Sequence, residues 1–533
     1  MTQTLSIIDV SGVQRFIFGS NKLKEQIGAS ALVRQLTETW IRGTIAAHSG
    51  TVIVAGGGNV LFESTSIDTA KQVVRQASTT ALTRTPGLDL YAAHVQLTDG
   101  LAVGGPRGAY THLFQELGRQ KQYRRSSDMA YGWGVTAECA ATGAPAVAYD
   151  SDEGRVISAE LVAKLVGTQQ AQSYLERLLE TIPDRERFTV PTDFDDLGRT
   201  AGEQSQIAIV HADGNGFGQR FRGLVEQAHF ADPAQNDACL MALRELSDAI
   251  EKAGRTALQQ TVAWVIGHLL TKITAQRDPT DPLSRFVHDL SRDGASALPL
   301  RPLLFGGDDL TFVCDGRLGL PLAARYLHEF EIAARNLPFG GPGYASAGVA
   351  IVRSHYPFAR AYALCEQLCK SAKDVQRDVK HSGSALDWHV AQSGLAGSLA
   401  EIRAREFKRG TLLQRPLTLH PETSLQEWRS WAAFAEIVRA FNHKAEPGKK
   451  LEWGDRRNKL IPLRDEIRGG PTQTRDYRAQ FGLPELPEFS GHTTIPQART
   501  DGWHDGRAVY FDAIEAIDLL LINESLPQRE EHA

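Results

Sequence analysis

The sequence is short of the residues that mark secreted or membrane proteins. Cysteine occurs five times in 533 residues, at Cys139, Cys239, Cys314, Cys365 and Cys369. So sparse and odd a set does not suit a disulfide framework and fits a reducing, cytoplasmic compartment. No apolar run approaches the roughly 20 residues that a membrane span needs. Met1–Ser11 lacks the basic start and apolar stretch of a secretion signal, so no membrane partner is expected. An excess of one charge is also missing: 58 Lys and Arg against 63 Asp and Glu leave a formal net charge of −5. That balance argues against a nucleic-acid binder working through bulk charge, while leaving room for local basic patches.

What is present is an ordinary globular composition, 42% hydrophobic and 23% charged. At this length more than one core is expected, because a single core stops growing near about 250–300 residues. Two stretches follow the same local plan. The first opens with the apolar strand Leu5–Val10, passes Asp9, turns at Ser11-Gly12, and has a hairpin pattern across Gly56-Gly57-Gly58-Asn59. The second opens with Ile207–Ala212, reaches Asp213, turns through Gly214-Asn215-Gly216, and has its hairpin across Gly306-Gly307-Asp308-Asp309. Laid side by side, Asp9 matches Asp213, and Asn59 and Val60 are expected where Asp308 and Asp309 stand. Helical patterns cover Lys22–Arg42, Ala159–Thr181, Ala238–Ile250, Leu258–Thr274, Pro321–Asn336 and Phe358–Val375. Residues 277–299, rich in Asp, Pro and Ser, read as a loop. Leu425–Phe441, Asn458–Arg468, Thr474–Phe481 and Phe511–Leu526 read as helices of a C-terminal region. The expected class is α+β.

The chemistry concentrates at Asp213, Asp308 and Asp309. Carboxylates at a Gly-Gly turn, beside another at the end of a neighbouring strand, form the oxygen-rich nest that hard cations such as Mg²⁺ or Mn²⁺ prefer. Gly306 and Gly307 let a triphosphate approach the backbone, and such a nest serves in-line nucleotidyl transfer. Successive strand residues face opposite ways, so only one of Asp308 and Asp309 is certain to face Asp213. Asp308, within the turn, ranks first. Lys370 and Lys373, three apart on a helix, are candidates for a phosphate contact. The run Arg119–Arg125 is a candidate RNA or subunit contact, with a solvated surface as the alternative.

These motifs, in this order, resemble the large polymerase/cyclase subunit of type III CRISPR effector complexes. The match rests on Asp213-Gly214-Asn215-Gly216-Phe217-Gly218, the Gly306–Asp309 turn and Ser371-Ala372-Lys373-Asp374, with Ile8–Phe18, Gly28-Ala29-Ser30 and Gly56–Asn59 in the first copy. The resemblance implies two ferredoxin-like Palm domains in tandem, at 1–150 and 206–395, the second with a helical insertion at 222–300. A connector at 151–205 and a helical domain at 396–533 complete the expected organisation. It implies that the second Palm joins ATP molecules by 3′–5′ bonds into cyclic oligoadenylate. Asp213, Asp308 and Asp309 would hold magnesium, and Gly214, Gly306, Gly307 and Lys373 would lie against the nucleotide. The implied partners are crRNA, target RNA and small effector subunits. Two other readings stay open: a scaffold subunit with little cyclase activity, and a stand-alone cyclic dinucleotide synthase.

The sequence departs from that family in two places. Many members begin with an HD nuclease domain, whereas this sequence starts at the first Palm, so no DNA-cutting activity is expected. His288-Asp289 and His504-Asp505 lack the further ligands of an HD site. The family's zinc knuckle survives as the frame Glu138–Ala146, with Thr142 at the second cysteine position, so zinc is not expected. Cys365 and Cys369 share a helix face without further ligands and are expected in the core.

Overall fold

The computed structural model describes residues 3–98, 100–123, 134–197, 205–292, 295–378, 383–391, 397–407, 413–420, 424–446, 449 and 451–527. Arg124 and Arg125 of the basic run, and Gly202–Gln204 at the end of the connector, lie outside these residues. In the first unit the strands are β1 (Thr4–Ser11), β2 (Thr51–Gly56), β3 (Asn59–Ser64) and β4 (Asp89–Gln96). Helices α1 (Val13–Phe18) and α2 (Leu23–Arg34) follow β1, and α2 runs on through a π-helical stretch, Gln35–Ile41. Helix α3 (Ile67–Arg84) joins β3 to β4, and α4 (Ala109–Tyr123) comes after β4. The sheet order is β2-β3-β1-β4, antiparallel throughout.

Helix α5 (Ala159–Leu179) leads toward the second unit and packs closely on α2. A Cβ on Gly28 would stand 1.7 Å from the Lys164 carbonyl oxygen. The second unit has β5 (Gln206–Gly214), α6 (Phe217–Val225), α7 (Asn236–Thr274), β6 (Leu300–Gly306), β7 (Asp309–Asp315), α8 (Gly319–Ala333), β8 (Ala345–Arg353), α9 (Phe358–Asp378) and β9 (Ala385–Val390). Its sheet runs β6-β7-β5-β8-β9 and ends on the short strand Leu417–Thr418. The first four strands thus repeat the order of the first unit. Ile207 through Ala212 are all buried, as expected of a central strand covered on both faces.

Three expectations change. Ala238–Ile250 and Leu258–Thr274 are not two helices but parts of the 39-residue α7. Gly254 in its middle does not break it; a Cβ there would meet the Gly307 carbonyl oxygen at 2.8 Å, so the glycine lets α7 pass directly against the Gly-Gly turn. Residues 277–299 are not all loop: Pro282–Leu290 is a helix that buries Leu283, Phe286, Val287 and Leu290, a helical spacing the polar neighbours obscure. The helix Phe511–Glu515 stops well short of Leu526. The following chain leaves it to donate from the Leu521 N–H to the Arg317 carbonyl at 3.1 Å, a tertiary bond that outweighs local propensity. The other C-terminal helices are Trp431–Asn442, Arg457–Gly469 and Pro471–Gln480. Among the described residues, no helix is long and apolar enough to cross a membrane.

Candidate functional site

The second unit's hairpin is closed by the pair Gly306↔Asp309, leaving Gly307-Asp308 as a two-residue turn. Gly307 has φ 65°, the left-handed value that makes glycine the favoured residue there. Strand β7 pairs with β5 through Leu310↔Ala212 and Thr311↔His211. Continued by one residue, this register sets Asp309 across from Asp213. Asp308 reaches the same place from the turn: its Oδ2 is 2.6 Å from where a Cβ on Gly214 would lie. Gly214 therefore makes room for the Phe217 ring, 2.2 Å from that Cβ, as well as for Asp308, and both turn carboxylates converge on Asp213.

Lys373, from α9, completes the cluster. Its ammonium pairs with Asp213 and donates to the Gly214 carbonyl at 2.9 Å. Lys370, one turn earlier, is exposed. Burial, followed by the Asp213 charge, pushes Asp308 up to about 6. Burial and the Asp213 and Asp308 charges drive Asp309 well above the usual carboxylate range. Asp308 and Asp309 are thus held near the Asp213 charge at a cost that a cation would relieve.

The donor set fits a hard divalent cation. All its ligating atoms are oxygens, and Asp309 Oδ1 is buried without a hydrogen-bond partner. Among the described residues, no group of three or more His, Cys, Asp or Glu side chains is gathered closely enough to hold a metal by itself. The expected three-carboxylate cradle is therefore not closed, because the Lys373 ammonium sits on Asp213. Substrate phosphates and waters would have to supply the remaining ligands, which is how Mg²⁺ is commonly held.

Two residues escaped the sequence reading. His211 lies two positions before Asp213, on the same face of β5. Its Nδ1 is 3.1 Å from Thr311 Oγ1 and 3.4 Å from Asp309 Oδ1. Burial holds this imidazole down at about 4, so it is neutral at ordinary pH. Lys121 was read as part of a surface basic run, but its Nζ pairs with Asp9 at 2.7 Å, and Ser11 Oγ donates to the same Asp9 oxygen at 2.8 Å. The signal was positional: Lys121 and Lys373 both sit on the helix after the fourth strand of their unit. The register also corrects the alignment of the hairpins. Gly56↔Asn59 is the counterpart of Gly306↔Asp309, so Gly58 and Asn59, not Asn59 and Val60, stand where Asp308 and Asp309 do. Val60 is a fully buried core residue.

The two hairpins face each other, with an ideal Cβ on Gly306 only 3.5 Å from the Gly57 nitrogen. A cavity flanks them on each side. One, of about 660 Å³, has Asp308 and Gly307 at one wall and Tyr110, Phe114, Phe217 and Phe221 around it. The other, of about 460 Å³, reaches Asp309 and Gly306 and is lined from the first unit by Asp9, Ser11, Arg15 and Lys121.

The cysteines lie outside this site. Cys365 Sγ donates to the Gly348 and Ile209 carbonyls at 2.9 and 3.1 Å, and Cys369 Sγ to that of Ser346 at 3.2 Å, as core thiols do. Cys139 keeps a tight turn in which Thr142 Oγ1 bonds Ser158 Oγ at 3.0 Å.

No family model and no curated protein matches this sequence. Solved structures do match. The Csm1-Csm4 cassette in complex with pppApApA gives a TM-score of 0.54 at 14% identity, over 98% of this chain and 69% of that chain. The chain has the fold found in that cassette. The same cassette in complex with cA4 gives 0.53 at 14% identity, over 98% of this chain and 70% of that one. The Csm1-Csm4 subcomplex of the type III-A CRISPR-Csm interference complex gives 0.51 at 12% identity, over 98% and 70%.

Proposed function

We propose that this chain is the nucleotidyltransferase/cyclase subunit of a type III CRISPR effector complex, built from two tandem ferredoxin-like Palm units, and that it makes cyclic oligoadenylate from ATP. The observation that carries the reading is the convergence of Asp213, Asp308, Asp309 and Lys373 at the seam between two cavities that both units line. Two supports come from outside the site. The strand order repeats between the units, and the matching cassette structures are complexes with ATP, linear oligoadenylates and cA4. The domain limits are those expected from the sequence, the proposed partners are small effector subunits, crRNA and target RNA, and the C-terminal helices would meet the small subunits.

In the proposed reaction the 3′-hydroxyl of one ATP attacks the α-phosphorus of another, the new P–O bond forms and pyrophosphate leaves. Asp213, Asp308 and Asp309 would hold Mg²⁺ or Mn²⁺, which when bound offsets the charge developing on the phosphoryl oxygens. Gly306 and Gly307 keep Cβ atoms away from the phosphates, and Gly214 lets Asp308 close on the nucleotide. Lys373, which lies beside Asp213 and the Gly214 carbonyl, would screen the triphosphate. Tyr110, Phe114, Phe217 and Phe221 line the larger cavity and would offer the bases flat apolar surfaces.

The test is incubation of the purified protein with labelled ATP and Mg²⁺ or Mn²⁺, with and without partner subunits and RNA, beside Asp308→Ala/Asp309→Ala. Pyrophosphate and phosphatase-resistant oligoadenylate from the unaltered protein alone are expected. No product under any condition, GTP included, would turn the reading to a scaffold.

A further inference from the structure

Buried positive charge gathers away from the carboxylates, where both units and α5 meet. Arg301, near the start of β6, is 2% exposed. Its Nη1 donates to Gln172 Oε1 at 3.1 Å and to the Pro191 carbonyl at 3.3 Å, both neutral acceptors, and its Nε is buried without a partner. Arg185, also buried, spends its own Nη1 on the Phe188 carbonyl. The carboxylate that acts on Arg301 is Glu176, reached through Gln172, whose Nε2 donates to Glu176 Oε1 at 3.1 Å. Burial and then Arg185 lower Arg301 to about 10. A buried guanidinium ordinarily pairs with a carboxylate directly, because leaving it uncompensated costs several kcal/mol.

Beside Arg301 is a small cavity of about 30 Å³. Its polar lining is Arg301, Arg34 from α2, Ser30 from the Gly28-Ala29-Ser30 turn of that helix, and Tyr174 from α5; the rest is apolar. The Arg34 guanidinium lies over the Tyr174 ring at 3.2 Å from its centroid, so one face is covered and its N–H edge is left to act. Burial lowers Arg34 as well, against the opposing pulls of Tyr174 and Glu38. The volume is that of about two water-sized probes, too small for a nucleotide and ample for a monatomic anion.

We propose that this cavity is a structural anion site, in which a halide-sized inorganic anion, chloride in the cell, bridges Arg34 and Arg301 with the Ser30 hydroxyl. The anion cross-links α2, α5 and β6. Since Phe305 in the cavity wall directly precedes Gly306, the site also braces the strand that carries the Gly-Gly turn. Ser30, Arg34 and Phe305 also line the smaller cavity at the carboxylates, whereas Arg301 does not, so a response read without nucleotide and lost in Arg301→Met belongs to this site and not to catalysis.

Thermal unfolding of the full chain in sodium chloride and in sodium gluconate, at matched ionic strength, tests it. The expected result is a midpoint about 2 °C or more higher in chloride, rising with concentration as a bound ligand requires. Arg301→Met and, separately, Arg34→Met should lose that chloride response, while Arg75→Met, on an exposed helix face, should keep it. Anomalous diffraction from a bromide-soaked crystal of the unaltered protein needs no variant and should give a peak between Arg34 and Arg301. Equal midpoints in the two salts, an undiminished response in Arg301→Met, or a bromide-free cavity would each overturn the proposal in favour of trapped water.

Discussion

The two units share a strand order, a turn rich in glycine, and a lysine drawn from the following helix onto the aspartate of the first strand: Lys121 on Asp9, Lys373 on Asp213. They part at two positions. In the first unit Gly57 and Gly58 both have left-handed φ, 57° and 82°, and Asn59 closes the hairpin. In the second only Gly307 is left-handed, Asp308 takes the next position, and Asp309 closes the hairpin. The backbone of the second turn is therefore of the kind that accepts a side chain at its second residue, and the first is not. Chemistry and turn geometry changed together. The first unit keeps one carboxylate with its lysine, and the second concentrates three.

That contrast predicts a steep asymmetry. Asp308→Asn/Asp309→Asn should abolish pyrophosphate release, by on the order of 10³-fold or more, if these groups hold the cation. Asn59→Ala should change it little. A comparable loss from Asn59→Ala would erase the distinction between the units. Next in size are the lysines. Lys373→Met should lower kcat roughly 100-fold, as loss of a charge-stabilising donor does. Lys121→Met should leave kcat near normal and raise KM about tenfold, because it lines the smaller cavity on Asp9, away from the paired carboxylates, and would act on a phosphate in binding alone. Steady-state kinetics with both variants separate the two roles.

The crowding of carboxylates also writes itself into stability. Asp308 keeps its proton in the folded chain up to about pH 6, whereas the unfolded chain releases it near 4. The folded state binds the extra proton, so without metal the protein loses stability as pH rises from about 4 to 6, by up to about 3 kcal/mol, and does not regain it above. Asp308→Asn removes that loss. In EDTA its unfolding midpoint should exceed that of the parent at pH 7.5 and approach it at pH 4.5. The corresponding first-unit change, Gly58→Ala, has no such pH dependence.

Much of this was legible in the sequence because it is local. The apolar run Ile207–Ala212, the Gly-Gly-Asp-Asp turn and the helical spacing of Phe358–Val375 each report a structure made by neighbours in the chain. Helical spacing offered Lys370 and Lys373 alike and the family resemblance singled out Lys373, since nothing in its own helix says that it reaches Asp213. What stayed hidden depends on partners far away. Lys121 looked solvated because Asp9 is over a hundred residues off, and the closing of α7 against the turn rests on Gly254, which in sequence reads only as a weak point in a helix. The chain after Phe511–Glu515 is tied instead to Arg317, through the Leu521 N–H, across about two hundred residues of sequence. His211 was within reach, because period-two counting from Asp213 puts both on one face.

The smallest effect is the one that tests whether the turn or the carboxylate came under constraint first. Gly58→Asp recreates the acidic residue of the second turn in the first. A Cβ there has room, 3.4 Å from the Val10 carbonyl and 3.9 Å from Val13 Cγ2, so packing does not forbid it. The backbone does: at φ 82° a side chain is strained, less for Asp than for a branched residue, at about 1 kcal/mol. The variant should unfold at slightly lower denaturant with an unchanged slope and should gain no activity. Asp308→Gly, at an ordinary φ, should be neutral or mildly stabilising in EDTA while losing activity. If Gly58→Asp cost nothing, the two turns would be interchangeable in backbone, and the division of labour between the units would rest on side chains alone.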